Sequence, residues 1–134
     1  MIYLFILSEI CISVSVRLGG IGSSAKDGYV EGLTSNGQWA GICDDQFDIN
    51  DANVICKMLG FPRAMVALAS STDSGNSAAY DLYGPAPSGN NFVLSELKCT
   101  GNEPSIFDCP HSDELNEHCW AKEIAGVQCA TSKL

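Results

Sequence analysis

The sequence predicts one compact α+β domain held together by disulfides, and three features predict it. Six cysteines, Cys43, Cys56, Cys99, Cys109, Cys119 and Cys129, follow an apolar opening segment in a chain of 134 residues. Short β-prone stretches recur between Gly, Asn and Pro residues. A single capped stretch between them carries apolar residues at helical spacing. Half-cystines of this number in a short exported chain read as a disulfide framework, and fifteen pairings are open from sequence alone.

Export is expected from the opening segment. Ile2 to Leu7 is unbroken apolar chain, Ile10, Ile12 and Val14 extend it, and Ser13 and Ser15 supply the small residues that precede a cleavage point. Residues 1–15 are therefore expected to be a signal peptide, leaving a domain at 16–134, or 134 − 15 = 119 residues. Cys11, the seventh cysteine, leaves with the leader, so the remaining thiols are even in number. No basic residue precedes the apolar run and Glu9 interrupts it, which is the pattern of the alternative, a first strand in a fragment of a larger protein. A spanning helix needs about 20 apolar residues and is not expected.

Val16 to Leu18 begins a strand that Gly19 and Gly20 should stop. Tyr29–Leu33 and Gln38–Cys43 are joined by Ser35-Asn36-Gly37, a strong hairpin signal. Asn50 is expected to cap a helix, with Asp51 in its first turn and Ala52, Ile55, Cys56 and Leu59 as its apolar stripe. Gly60 suits the left-handed C-terminal position and Pro62 prevents continuation. Met65–Ala69 suggests a strand. From Ser70 to Asn91 the chain turns to Ser, Gly, Asn and Pro, so a long surface loop is expected there. Phe92–Leu94 and Leu97–Cys99 resume strand character. Asn102 should cap a short turn from Pro104 to Asp108, and Ala125–Ala130 closes the chain as a strand. Trp39 is expected in the core, and Trp120 is unassigned.

Seven Lys and Arg against sixteen Asp and Glu give a formal net charge of −9. Such a surface repels nucleic acid and anionic lipid, so neither a nucleic-acid partner nor direct membrane insertion is expected. Neither a Gly-x-Ser-x-Gly elbow nor a glycine-rich phosphate loop is present, so the chain is not read as an enzyme. Cys109, His111, His118 and Cys119 match no common zinc spacing, and disulfides would consume the thiolates.

Taken together, these residues resemble the scavenger receptor cysteine-rich domain in its six-cysteine, group A form. The resemblance rests on Gly37-Gln38-Trp39-Ala40-Gly41-Ile42-Cys43-Asp44-Asp45, then Asp48, Asn50-Asp51-Ala52, Val54-Ile55-Cys56 and Leu59-Gly60. It continues through Leu97-Lys98-Cys99-Thr100-Gly101-Asn102-Glu103, Cys109-Pro110-His111, Glu123 and Ala125-Gly126-Val127-Gln128-Cys129. Lys26 and Phe61 stand where an eight-cysteine relative places its additional pair. The resemblance implies a curved antiparallel sheet cradling one main short helix and a second helical turn, with a long surface loop. It also implies bridges Cys43–Cys119, Cys56–Cys129 and Cys99–Cys109.

Asp44, Asp45 and Glu123 are the candidate metal ligands. A bridge between Cys43 and Cys119 would draw these acids together, and calcium suits an all-oxygen set at weak, extracellular affinity. Relatives that use this site carry acids at those positions. Ile124 and Ser95 replace acids found in relatives, so a second cation position is not expected. The competing reading has Asp44 and Asp45 capping turns and pairing with Arg17 or Lys122. Arginine clusters that bind polyanions are missing, since the only arginines are Arg17 and Arg63. The resemblance thus implies a secreted or cell-surface, non-catalytic recognition module for extracellular proteins or microbial surface polymers, with Asp113, Glu114 and Glu117 adding to an acidic face. The alternative is a structural or adhesive domain without metal, part of a larger receptor or accessory to a secreted protease or amine oxidase.

Overall fold

The structure, a computed structural model, describes residues 15–70, 75–112 and 119–133. The expected leader other than Ser15, and Asp113, Glu114, Glu117 and His118, lie outside the described residues. Six strands form one sheet: β1 Val16–Ser24, β2 Asp27–Leu33, β3 Trp39–Ile42, β4 Arg63–Leu68, β5 Phe92–Leu94 and β6 Gly126–Ala130. Two helices, α1 Ile49–Met58 and α2 Ala78–Tyr83, pack on it. Short 3₁₀ turns run over Ile106–Asp108 and Ala121–Glu123.

The strand order is β4-β6-β2-β3-β5, and β1 pairs with β2. All pairs are antiparallel except β3–β5, which is parallel, so the sheet is mixed rather than antiparallel throughout. The parallel pair follows from the chain path: α1, β4 and α2 intervene between β3 and β5, a crossover long enough to return the chain in the same direction.

β1 does not stop at Gly19 and Gly20 as the sequence suggested. It runs on to Ser24 through an irregular register between Gly19 and Ser24. Gly20 has φ +121°, and a Cβ there would meet Cβ of Tyr83 at 2.3 Å. The glycine lets α2 press against the strand instead of ending it.

One face of the sheet buries Val16, Val30, Ile42 and Val127 against Ala52, Val54, Ile55 and Cys56 of α1, closed by Leu94, Leu97 and Ile106. The other buries Tyr29, Phe92 and Ile124 against Ala79 and Tyr83 of α2. α1 is capped by Asp48, not Asn50: the Asp48 carboxylate accepts from the N–H groups of Asn50 and Asp51, and Asp51 returns a bond to the Asp48 N–H. This reciprocal pairing satisfies amides that a single cap would leave open. Leu59 and Gly60 end the helix as expected, with Gly60 at φ +94°.

Four further expectations change. Within 70–91 the chain forms α2, capped by the Ser77 hydroxyl, which accepts from the Tyr80 N–H at 2.9 Å. Leu97–Cys99 is not a strand: the Lys98 N–H bonds to the Pro110 carbonyl, and the Cys99 N–H bonds to Asp51 Oδ1 at 2.8 Å. With those groups satisfied by a loop and a buried carboxylate, no sheet neighbour is needed. The second turn is capped by Ser105, not Asn102. Trp39 is half-buried rather than in the core, because the Arg17 guanidinium, its carbon 4.3 Å from the ring centre, covers it in place of apolar side chains.

The disulfides join Cys43 to Cys119, Cys56 to Cys129 and Cys99 to Cys109, at Cα separations of 6.1, 5.6 and 4.8 Å. The second fastens α1 to β6. The third closes the turn beside Ile106–Asp108.

Candidate cation site

Asp44 and Asp45 follow the end of β3, and Glu123 closes the 3₁₀ turn that leads into β6. Three links hold these segments side by side. Cys43 is bridged to Cys119, the Asp44 N–H donates to the Glu123 carbonyl at 2.9 Å, and the Ala125 N–H donates to the Ile42 carbonyl at 2.7 Å, the last two making Cys43 and Ile124 an isolated antiparallel bridge. After Asp44 the chain turns sharply: the Phe47 N–H donates to the Asp44 carbonyl, and Gln46 takes φ +63°. On the other side the Glu123 N–H donates to the Trp120 carbonyl at 2.7 Å, while the Trp120 N–H donates to Glu123 Oε1 at 2.8 Å.

Carboxylate oxygens of Asp44, Asp45 and Glu123 come within 4.8 Å of one another. Asp45 and Glu123 are half-buried. Asp44 is 2% exposed; its Oδ2 accepts from the Ser70 hydroxyl at 2.7 Å, and its buried Oδ1 has no partner among the described residues. Burial pushes the Asp44 carboxyl up to about 6; the Ser70 hydrogen bond opposes this, and the charges of Asp45 and Glu123 add to it. A buried carboxylate oxygen without a donor carries a desolvation cost, and two neighbouring anions increase it. A hard cation with oxygen ligands relieves both, so the residues present fit calcium.

Arg17, one expected counter-ion for Asp44 and Asp45, is committed elsewhere. Its Nε and NH2 donate to Glu31 Oε1 at 3.0 and 2.9 Å. Among the described residues, no ion pair joins Lys122 to the cluster. The zinc reading has no free thiolates to stand on, since Cys109 and Cys119 are both bridged. Sequence reasoning located all three clustered acids but not Ser70. A serine in a Ser-rich stretch carries no signal that it will reach a carboxylate 26 residues away. Buried Glu31, 2% exposed, was also missed; its place on the same strand face as Tyr29 and Leu33 was the available clue.

The molecule is thus a disulfide-stapled α+β scaffold that carries an acidic cluster where the end of β3 meets the turn before β6. The chain belongs to the scavenger receptor cysteine-rich domain family, whose pattern it matches over residues 21–130. The three disulfides fit the six-cysteine form. Galectin-3-binding protein of Bos taurus is 37% identical over 108 residues, covering 81% of this chain but 17% of the relative, so the chain spans about a sixth of that protein. The dimeric form of the mouse MARCO domain superposes with TM-score 0.61 at 31% identity, covering 94% of this chain and 99% of that one. The third such domain of murine neurotrypsin gives TM-score 0.62 at 33% identity, covering 85% and 94%. Domains of this family are typically extracellular, non-catalytic ligand-binding modules. Among the described residues no helix is long and apolar enough to cross a membrane.

Proposed function

We propose that the chain is a secreted or cell-surface recognition module whose ligand face is organised by calcium held at Asp44, Asp45 and Glu123. The carrying observation is Asp44 Oδ1, buried and unpartnered beside two other carboxylates. A fold that removes such an oxygen from water and gives it no donor is stabilised by a cation arriving there. Calcium draws the cluster together and leaves the half-buried Asp45 and Glu123 to meet a protein or a microbial surface polymer. With three carboxylates the affinity is expected on the order of 10⁻⁴ to 10⁻³ M, matched to extracellular calcium. The cattle relative's name states that it binds galectin-3, so galectin-3 is one protein ligand to test on this chain.

The melting temperature of the purified domain, measured in millimolar calcium and in chelator, tests this reading. A rise in calcium that disappears in Asp44→Ala and in Glu123→Ala is the expected result. An unchanged melting temperature in calcium favours the other reading, an adhesive or structural domain without metal.

A further inference from the structure

We propose that the cleft between the β2–β3 turn and Asn91 is a calcium-independent site for an uncharged saccharide. Thr34, Ser35, Asn36, Gln38, Trp39 and Asn91 line it, and its volume is about 220 Å³. That is below the roughly 300 Å³ at which pockets begin to hold drug-sized ligands, so the cleft suits one sugar ring rather than a larger group. Its walls are pinned through their backbones. Across the turn the Thr34 N–H donates to the Gln38 carbonyl at 2.7 Å, and the Gln38 N–H donates to Thr34 Oγ1 at 3.0 Å. The Asn91 carbonyl accepts from the Gly41 N–H at 2.9 Å, and the Asn91 N–H donates to the Ser88 carbonyl at 3.0 Å. With these main-chain groups paired, recognition falls to the side chains. Gln38 and Asn91 are exposed, and among the described residues nothing bonds to their side-chain amides. Asn36 accepts from the Thr34 hydroxyl through Oδ1, which leaves its NH₂ group to donate.

None of the residues lining the cleft is charged, in a chain with a formal net charge of −9. Arg17, which lies on the Trp39 ring, is paired with Glu31. Anionic sugars, phosphates and cationic side chains therefore find no counter-ion in the lining. A carboxamide carries a donor and an acceptor at one end, and each sugar hydroxyl both donates and accepts, so the two match without ionisation. Two such amides on separate segments hold a pyranose ring at two points. The C–H groups of the ring are left to Trp39 and Phe92, the aromatic residues of the lining. No carboxylate takes part, so the site goes beyond the calcium reading and does not depend on it.

Chemical-shift mapping of the ¹⁵N-labelled protein in chelator tests this, with the methyl glycosides of glucose, mannose, galactose and N-acetylglucosamine as probes. At least one is expected to move the backbone amides of Gln38, Ala40 and Asn91, with a Kd on the order of millimolar. Gln38→Ala and Asn91→Ala should each weaken that binding about fivefold, the loss of one neutral hydrogen bond. Their melting temperatures should match wild type, because neither side-chain amide is bonded to the described protein. Replacing chelator by calcium should leave the affinity as it was. No shift at these amides with any of the glycosides overturns the proposal, as does undiminished affinity in the double variant. Binding that appears only in calcium assigns the sugar to the acidic cluster and overturns it too. So does a stronger response to N-acetyl-asparaginamide, which would make the cleft a peptide site, or to a sulfated glucose, which would contradict selection for an uncharged ring. A protein whose melting temperature ignores calcium but whose cleft binds a glycoside supports this site while removing the cation one.

Discussion

Glu31 and Asp51 show how single carboxylates inside this domain are handled in opposite ways. Glu31 is 2% exposed, and among the described residues it pairs with Arg17, whose side chain is 47% exposed. Arg17→Ala would strand a buried charge, so a loss of about 2 kcal/mol in urea unfolding is expected, reduced from the fully buried case by the water that reaches Arg17. Glu31→Gln with Arg17→Ala should recover part of that loss, since the amide carries no charge. Asp51 is fully buried, and burial pushes its carboxyl up to about 6; the N–H groups of Cys99 and Asp48 oppose the shift and the Asp48 charge adds to it. Its proton is therefore held more tightly in the folded chain than in the unfolded one. Ionisation of Asp51 costs stability in full above about pH 6, and the cost fades as pH falls from about 6 to about 4. Asp44 acts in the same direction over the same window. Metal-free protein should thus gain stability on acidification from pH 7 to pH 5, and Asp51→Asn should flatten the profile. Below about pH 4 the slope should reverse, because Ser24 and Tyr83 hydrogen bonds hold Asp27 below the usual carboxylate range and that support is lost on protonation. Urea midpoints across pH 3 to 8 check both signs. A midpoint that falls from pH 7 to pH 5 would contradict the burial argument.

Among the elements, α2 is the one the sequence concealed, because the surrounding Ser, Gly, Asn and Pro made the whole stretch read as loop. The helix was nonetheless written there in small: Ser77 as cap, then Ala79 and Tyr83 four residues apart on one face. At six residues it would not persist alone, so its existence depends on docking. Docking is close. A Cβ on Gly126 of β6 would meet Ala79 Cβ at 2.6 Å and the Gly28 carbonyl at 2.7 Å. Gly126→Ala should therefore cost about 2–3 kcal/mol by overpacking, read as a lowered melting temperature. The Tyr83 hydroxyl donates to Asp27 Oδ2 at 2.6 Å and accepts from Gln128 at 3.4 Å, so Tyr83→Phe should cost about 1–2 kcal/mol. The β2–β3 hairpin and the apolar stripe of α1 were legible because their signals are local: Asn36-Gly37, and Ala52, Ile55, Cys56 at helical spacing. The cap of α1 was misplaced by two residues because Asp48 and Asn50 both suit the position, and only the reciprocal bond from Asp51 decides between them. Leu97–Cys99 looked like a strand from its residue types, whereas its backbone is satisfied by Asp51 and Pro110, contacts with no local signature.

At the scale of the molecule the disulfides decide both stability and site. Sequence spacing left every pairing open, and the family pattern was what gave an order to the six thiols. The bridges differ in what they close: Cys99–Cys109 spans 10 residues, whereas Cys56–Cys129 and Cys43–Cys119 span 73 and 76. Loop-closure entropy gives about 3 kcal/mol for the short loop and about 4 kcal/mol for each long one. Against a net stability of about 5–15 kcal/mol, loss of one long bridge leaves little margin. The two long bridges nevertheless predict different outcomes for function. Cys56 and Cys129 lie in the main core between α1 and β6, away from the acids, so Cys56→Ala with Cys129→Ala should lower the melting temperature while the calcium-induced rise survives at a temperature where the variant is folded. Cys43 adjoins Asp44, and Cys119 adjoins the turn that ends in Glu123. Without that disulfide the two segments keep the backbone bonds Asp44–Glu123 and Ala125–Ile42 that flank the Cys43–Ile124 pair. Cys43→Ala with Cys119→Ala should therefore lower stability by a comparable amount and also weaken the response to calcium, because three mutually repelling carboxylates are no longer held within reach of one ion. Calcium titrations of both double variants, followed by melting temperature, separate the two effects. An undiminished calcium response without the Cys43–Cys119 bridge would show that backbone pairing alone assembles the cluster, and the bridge would then serve stability only.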